Sequence, residues 1–111
     1  MNIKHFQNCL WEITEDVSGF DQKQLISKSK RCLHLCWARH CAMAAARECG
    51  LTHTEVGALF KRDHSACVHS YQVFKHNAAP SLIAEGWKDE ILNRLKNAVL
   101  QANKTRKTKS K

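Results

Sequence analysis

The side chains best placed to do chemistry on a ligand are His64, Ser65, Ala66 and His69, which follow Asp63 in the stretch Leu51 to His76. No nucleophile, base and orienting group recur around them, so the chain is not expected to be an enzyme. A histidine, a hydroxyl and a methyl in the first turn of a helix suit a different task. Short side chains there let a helix end sit deep in a major groove, against base edges.

Two helices must position those residues. Thr52 with Glu55 is a capping-box start, and Val56, Leu59 and Phe60 give the short helix that follows an apolar face. Lys61 and Arg62 interrupt the pattern. Asp63 can then cap a second helix whose apolar positions Cys67, Val68, Tyr71 and Phe74 recur at helical spacing. This is helix-turn-helix logic, although paired amphipathic helices also occur in all-α domains that bind nothing charged. Charge separates the two readings. The chain carries 18 Lys and Arg against 10 Asp and Glu. Within it, residues 27–76 hold eight basic and three acidic side chains, whereas residues 1–26 hold two and four. Basic charge gathered on the segment that holds the motif is the footprint of a protein that meets phosphates.

Other chemistries fit less well. Cys32, Cys36 and Cys41 lie near His34 and His40, but no C-x-x-C pair and no second half at zinc-finger spacing accompany them, so no metal is expected. Cys41, Cys49 and Cys67 fall on apolar helical positions, where a free thiol acts as a small hydrophobe. His5, His34, His53 and His76 read as solvated. The four glycines are scattered and form no phosphate-binding loop, so no nucleotide cofactor is expected. Without a signal peptide or an apolar span, the expected compartment is the reducing cytoplasm, at the nucleoid, with no membrane partner.

The remaining chain supplies packing. Ile3, Phe6, Leu10, Ile13 and Val17 mark a first helix ended by Ser18-Gly19, and a long helix from about Trp37 to Cys49 buries Ala42, Ala45, Ala46 and Cys49 before a Gly50 C-cap. Pro80 and Ser81 open a last helix with the apolar stripe Leu82, Ile83, Trp87, Ile91, Leu92, Leu95, Val99 and Leu100. The width of that stripe leaves room for a partner helix or a weak dimer. Residues 104–111 hold five basic side chains and no apolar one, and read as a disordered tail beyond a single domain over 1–103.

The run from Ala38 to Ser70 resembles the C-terminal DNA-binding domain of the bacterial replication initiator DnaA. In that family R-D-H-T-T-V-x-H-A opens the recognition helix, and here Arg62-Asp63-His64-Ser65 is followed by Val68-His69. The preceding x-x-E-I-G-x-x-F helix reads Thr54-Glu55-Val56-Gly57-Ala58-Leu59-Phe60. The R-Q-x-A-M-x-L-A helix is echoed by Arg39-His40-Cys41-Ala42-Met43-Ala44-Ala45-Ala46, and the basic loop S-K-R-R by Ser27-Lys28-Ser29-Lys30-Arg31. Similarity extends over roughly residues 17–100. Three departures bear on which bases are read: His40 replaces a Gln, Ala66 replaces the second Thr, and the turn before Arg62 is one residue shorter.

The resemblance implies an all-α fold, a compact Trp-repressor-like bundle of about five or six helices containing the helix-turn-helix. It implies sequence-specific binding of double-stranded DNA in the control of replication initiation or transcription, by a domain without the initiator's ATPase. Phosphates would be anchored by Lys28, Lys30, Lys61, Arg62 and Arg39. Bases would be met in the major groove by His64, Ser65, Ala66 and His40 at the helix begun by Asp63, with His69 one turn on, and in the minor groove by Arg31. The alternative is a protein-interaction module that contacts the replication machinery and keeps the fold as a scaffold.

Overall fold

A computed structural model describes the backbone of residues 3–27, 32–76 and 79–109 and the side chains of residues 4–27, 32–76 and 79–100. Among them six helices occur in the order α1 (Ile3–Ser18), α2 (Gln22–Ile26), α3 (Leu33–Glu48), α4 (His53–Leu59), α5 (His64–His76) and α6 (Leu82–Lys109). The expected all-α bundle is what the chain forms.

α3 is the centre of the bundle and packs against each of the other five helices. Its run Cys41, Ala42, Met43, Ala44, Ala45 and Ala46 is buried without a break, so the helix has apolar surface almost all round. The alanines permit that enclosure, because a methyl group lets neighbouring backbones approach closely. Burial pushes the Cys41 thiol up to about 12, which keeps it a neutral packing group. α3 starts at Leu33, four residues before the expected Trp37, because the Cys32 sulfur accepts from the Leu35 amide and caps it. At the other end the Leu51 amide donates to Ala46 and the Gly50 amide to Arg47, with Gly50 at φ 109°. That is the glycine-terminated stop expected.

α1 buries Phe6, Leu10 and Thr14, a line at i, i+4 spacing, while Ile13 and Val17 are only half-buried. α1 ends at Ser18 and Gly19, as its sequence indicates. α6 lays Ala84, Trp87, Ile91 and Leu95 against α1 and α3, and the Trp37 indole donates to the Ala84 carbonyl at 2.9 Å. The expected stripe is narrower than it reads. Leu82 and Ile83 lie between Ser81 and Ala84, both bonded to α3, yet stand 95% and 78% exposed. α6 also runs through residue 104 to Lys109, so no break in the backbone marks the expected tail. No glycine or proline lies there to stop it, and Lys and Arg are good helix formers.

Two histidines that read as solvated are in fact tied into the bundle. His34 hydrogen-bonds Ser81 at 3.1 Å across the α3–α6 junction. His53 sits between the Arg47 guanidinium and the Cys67 sulfur, linking α3, α4 and α5. No helix among the described residues is long and apolar enough to cross a membrane.

Candidate nucleic-acid interface

The two helices of the motif are fixed by their ends. The Thr52 hydroxyl accepts from the Glu55 amide at 3.1 Å, and the Glu55 carboxylate accepts from the Thr52 amide at 2.9 Å, completing the capping box. α4 ends in a Schellman motif: the Arg62 amide donates to Gly57 and the Lys61 amide to Ala58. The left-handed position of that motif is held by Lys61, at φ 55°, where glycine is the usual occupant. Gly57 is needed on the inner side of the same turn, because a Cβ there would lie 2.7 Å from the Arg62 carbonyl oxygen.

Asp63 then caps α5, its carboxylate accepting from the Ala66 amide at 2.9 Å. α5 turns Cys67, Ser70 and Phe74 inward, with Tyr71 packed beside them. Ser70 therefore takes an inward place that the apolar pattern assigned to Val68, which is only half-buried. His64, Ser65 and His69 are exposed and Ala66 is half-exposed. Ser65 and His69, four residues apart, share one face of the helix, so the first two turns offer polar side chains outward together. Lys61 is exposed beside them.

Arg39, expected as a phosphate anchor, is held within the fold. It is 4% exposed, and its guanidinium donates to the Leu25 carbonyl at 2.8 Å and to the Ser27 carbonyl at 3.0 Å. A side chain so enclosed serves the fold: it caps the C-terminal end of α2, whose last carbonyls have no partner in their own helix. Arg62 is half-buried and donates to the same Ser27 carbonyl at 2.9 Å and, more weakly, to Phe60 at 3.4 Å. Burial beside Arg39 pulls its pKa down, although a guanidinium stays charged at neutral pH.

His40 lies half-buried behind α5. Its Nδ1 is enclosed with no hydrogen-bond partner among the described residues, and its ring centroid is 6.4 Å from that of His69. Desolvation, followed by the proximity of His69, Arg39 and Arg62, lowers its pKa to about 4, so the ring is neutral at physiological pH. The structure thus brings together His40, Arg62 and His69, with Lys61, His64, Ser65 and Ala66 along the same turn and helix start. Lys28, Lys30 and Arg31 lie outside the described residues. The Ser27 carbonyl and the His40–His69 pairing were not indicated by the residue pattern. The one available signal was that two arginines accompany a helix only five residues long, which leaves carbonyls to satisfy.

Comparison with known proteins agrees with this geometry. No individually curated protein matches the chain. The family model described as the bacterial DnaA protein helix-turn-helix matches residues 10–73, more than half of the chain and all of α2, α3 and α4 with most of α5. On that match and the capped two-helix motif, the chain belongs to the bacterial DnaA helix-turn-helix family.

Proposed function

We propose that the protein binds double-stranded DNA with sequence preference, α5 entering a major groove, and that it thereby regulates replication initiation or transcription without catalysing a reaction. The observation that carries this reading is the start of α5. Asp63 spends its carboxylate on the helix cap, which leaves His64, Ser65 and His69 exposed beside the exposed Lys61. Side chains in that position meet base edges, while Lys61, Arg62 and the basic run Lys28, Lys30 and Arg31 supply the phosphate and minor-groove contacts. On this reading the protein works in the cytoplasm at the nucleoid, as a monomer or weak dimer.

Titration of a labelled duplex at several salt concentrations tests the proposal. Each phosphate neutralised adds roughly 0.9 to the slope of log affinity against log salt, so steep salt dependence is expected. A flat response, or no binding at low salt, would favour the second reading, a protein-interaction module that contacts replication or transcription proteins. One feature supports that alternative: Leu82 and Ile83 stand almost fully exposed at the start of α6.

A further inference from the structure

His40 is the group in this interface whose surroundings are least satisfied. Its ring is half-buried, its Nδ1 is shut away from solvent, and nothing among the described residues accepts from or donates to that atom. Every described charged or titratable group that acts on it is basic. Arg39 adjoins it on α3, Arg62 approaches from the turn, and His69 faces it from α5 at 6.4 Å between ring centroids. The two guanidinium groups cannot retreat, because both are fastened to the Ser27 carbonyl. Among the described residues that act on the ring there are positive groups and no acid, an arrangement that lacks an anion, and exposed His69 with half-exposed Arg62 and His40 lie beside the helix face proposed to meet DNA.

We propose that His40 and His69, with Arg62, form a subsite for one backbone phosphodiester, and that His40 takes up a proton when the phosphate docks. The proposal rests on the duplex-binding reading and adds a co-ligand, the proton, to it. In the free protein the imidazole is neutral, because its pKa stands at about 4. A phosphate brings a full negative charge against the ring and offers an acceptor, which restores the ring's proton affinity. The proton comes from solvent and remains on the imidazole as long as the phosphate is bound, and no covalent bond changes. A glutamine at this position would hydrogen-bond but not titrate. Proton uptake at this site is therefore a property of His40 itself.

The size of the effect follows from linkage. If docking returns His40 to the ordinary histidine pKa of about 6.5, affinity gains roughly tenfold between pH 7.5 and pH 5.5 from this group alone. The informative quantity is the difference between the native protein and His40→Gln. Binding of a short mixed-sequence duplex at fixed low salt, followed by fluorescence anisotropy from pH 7.5 to 5.5, should show a gain about tenfold larger in the native protein. Calorimetric titration near pH 6 in two buffers of different ionisation enthalpy should show most of one proton fewer taken up by His40→Gln. Parallel pH profiles, with salt-dependent binding intact, would overturn the phosphate subsite and leave duplex binding standing. Absence of any binding at pH 5.5 and low salt would overturn both. Should His40→Gln fail to fold, the NMR titration of the His40 ring in the native protein decides. A midpoint that rises on adding duplex supports the proposal, and one that stays near its free value overturns it.

Discussion

Arg39 and Arg62, one from the central helix and one from the turn of the motif, donate to the same atom, the carbonyl oxygen of Ser27, at 3.0 and 2.9 Å. Two like charges share one neutral acceptor because that carbonyl closes a helix too short to satisfy its own end. The residue from which the basic run 28–31 departs is thereby tied to the residue that precedes the Asp63 cap. Arg39→Met should cost about 2–3 kcal/mol in urea unfolding, since it leaves the Leu25 carbonyl buried without its donor and removes a bond from Ser27. The salt slope of DNA binding, measured on the folded fraction, should not change. An unaltered stability with a shallower slope would return Arg39 to the role of phosphate contact.

Lys61 separates stability from binding. Its φ of 55° costs an L-residue on the order of 1 kcal/mol that glycine does not incur. Lys61→Gly should therefore fold at least as stably as the native protein in thermal melts. It should also bind all duplex sequences more weakly, with a salt slope lower by roughly 0.9. Loss of stability would show that the lysine side chain supports the turn.

Gly57 makes the opposite case. Alanine is the better helix former by about 1 kcal/mol, yet its Cβ would lie 2.7 Å from the Arg62 carbonyl oxygen, a backbone atom that cannot move without opening the turn. Gly57→Ala should lower stability by about 1–2 kcal/mol, as overpacking does. A denaturation midpoint at or above the native value would mean that the turn is more pliable than its hydrogen bonds indicate.

The low pKa of His40 also fixes a trend in the free protein. Its folded value of about 4 lies below the ordinary value near 6.5, so the unfolded chain binds the extra proton between those limits. Stability from this group is present above pH 6.5 and is lost as pH falls toward 4. Melting temperatures recorded over that interval should decline more steeply for the native protein than for His40→Gln, and equal declines would remove His40 as the cause.

Local rules made the ends of the motif legible. The Thr52–Glu55 box, the Asp63 cap and the Gly50 stop each depend on residues within a turn of one another, and each formed as its spacing indicates. What required the third dimension was harder to read. Arg39 sits beside His40 in a basic stretch and resembles a phosphate contact until the unsatisfied carbonyls of α2 are placed against it. Leu82 and Ile83 continue an apolar stripe but stand exposed between Ser81 and Ala84, the two residues that bond to α3, so hydrophobicity alone could not assign them to the surface. The Lys61 turn was hidden for another reason: a Schellman ending without glycine carries no sequence mark.

The central claim, that α5 reads base sequence, rests on His64. The residue is exposed in the first turn beyond the Asp63 cap, where a good base contact is worth roughly 1–3 kcal/mol of discrimination and contributes little to the core. The most direct test selects bound duplexes from a random pool with the native protein, then compares native and His64→Ala binding to the selected sequence against random competitor. The account predicts that His64→Ala loses specific affinity by about tenfold or more, while non-specific binding and the melting temperature stay close to native. Full specificity retained by His64→Ala, or unfolding of that variant, would contradict it.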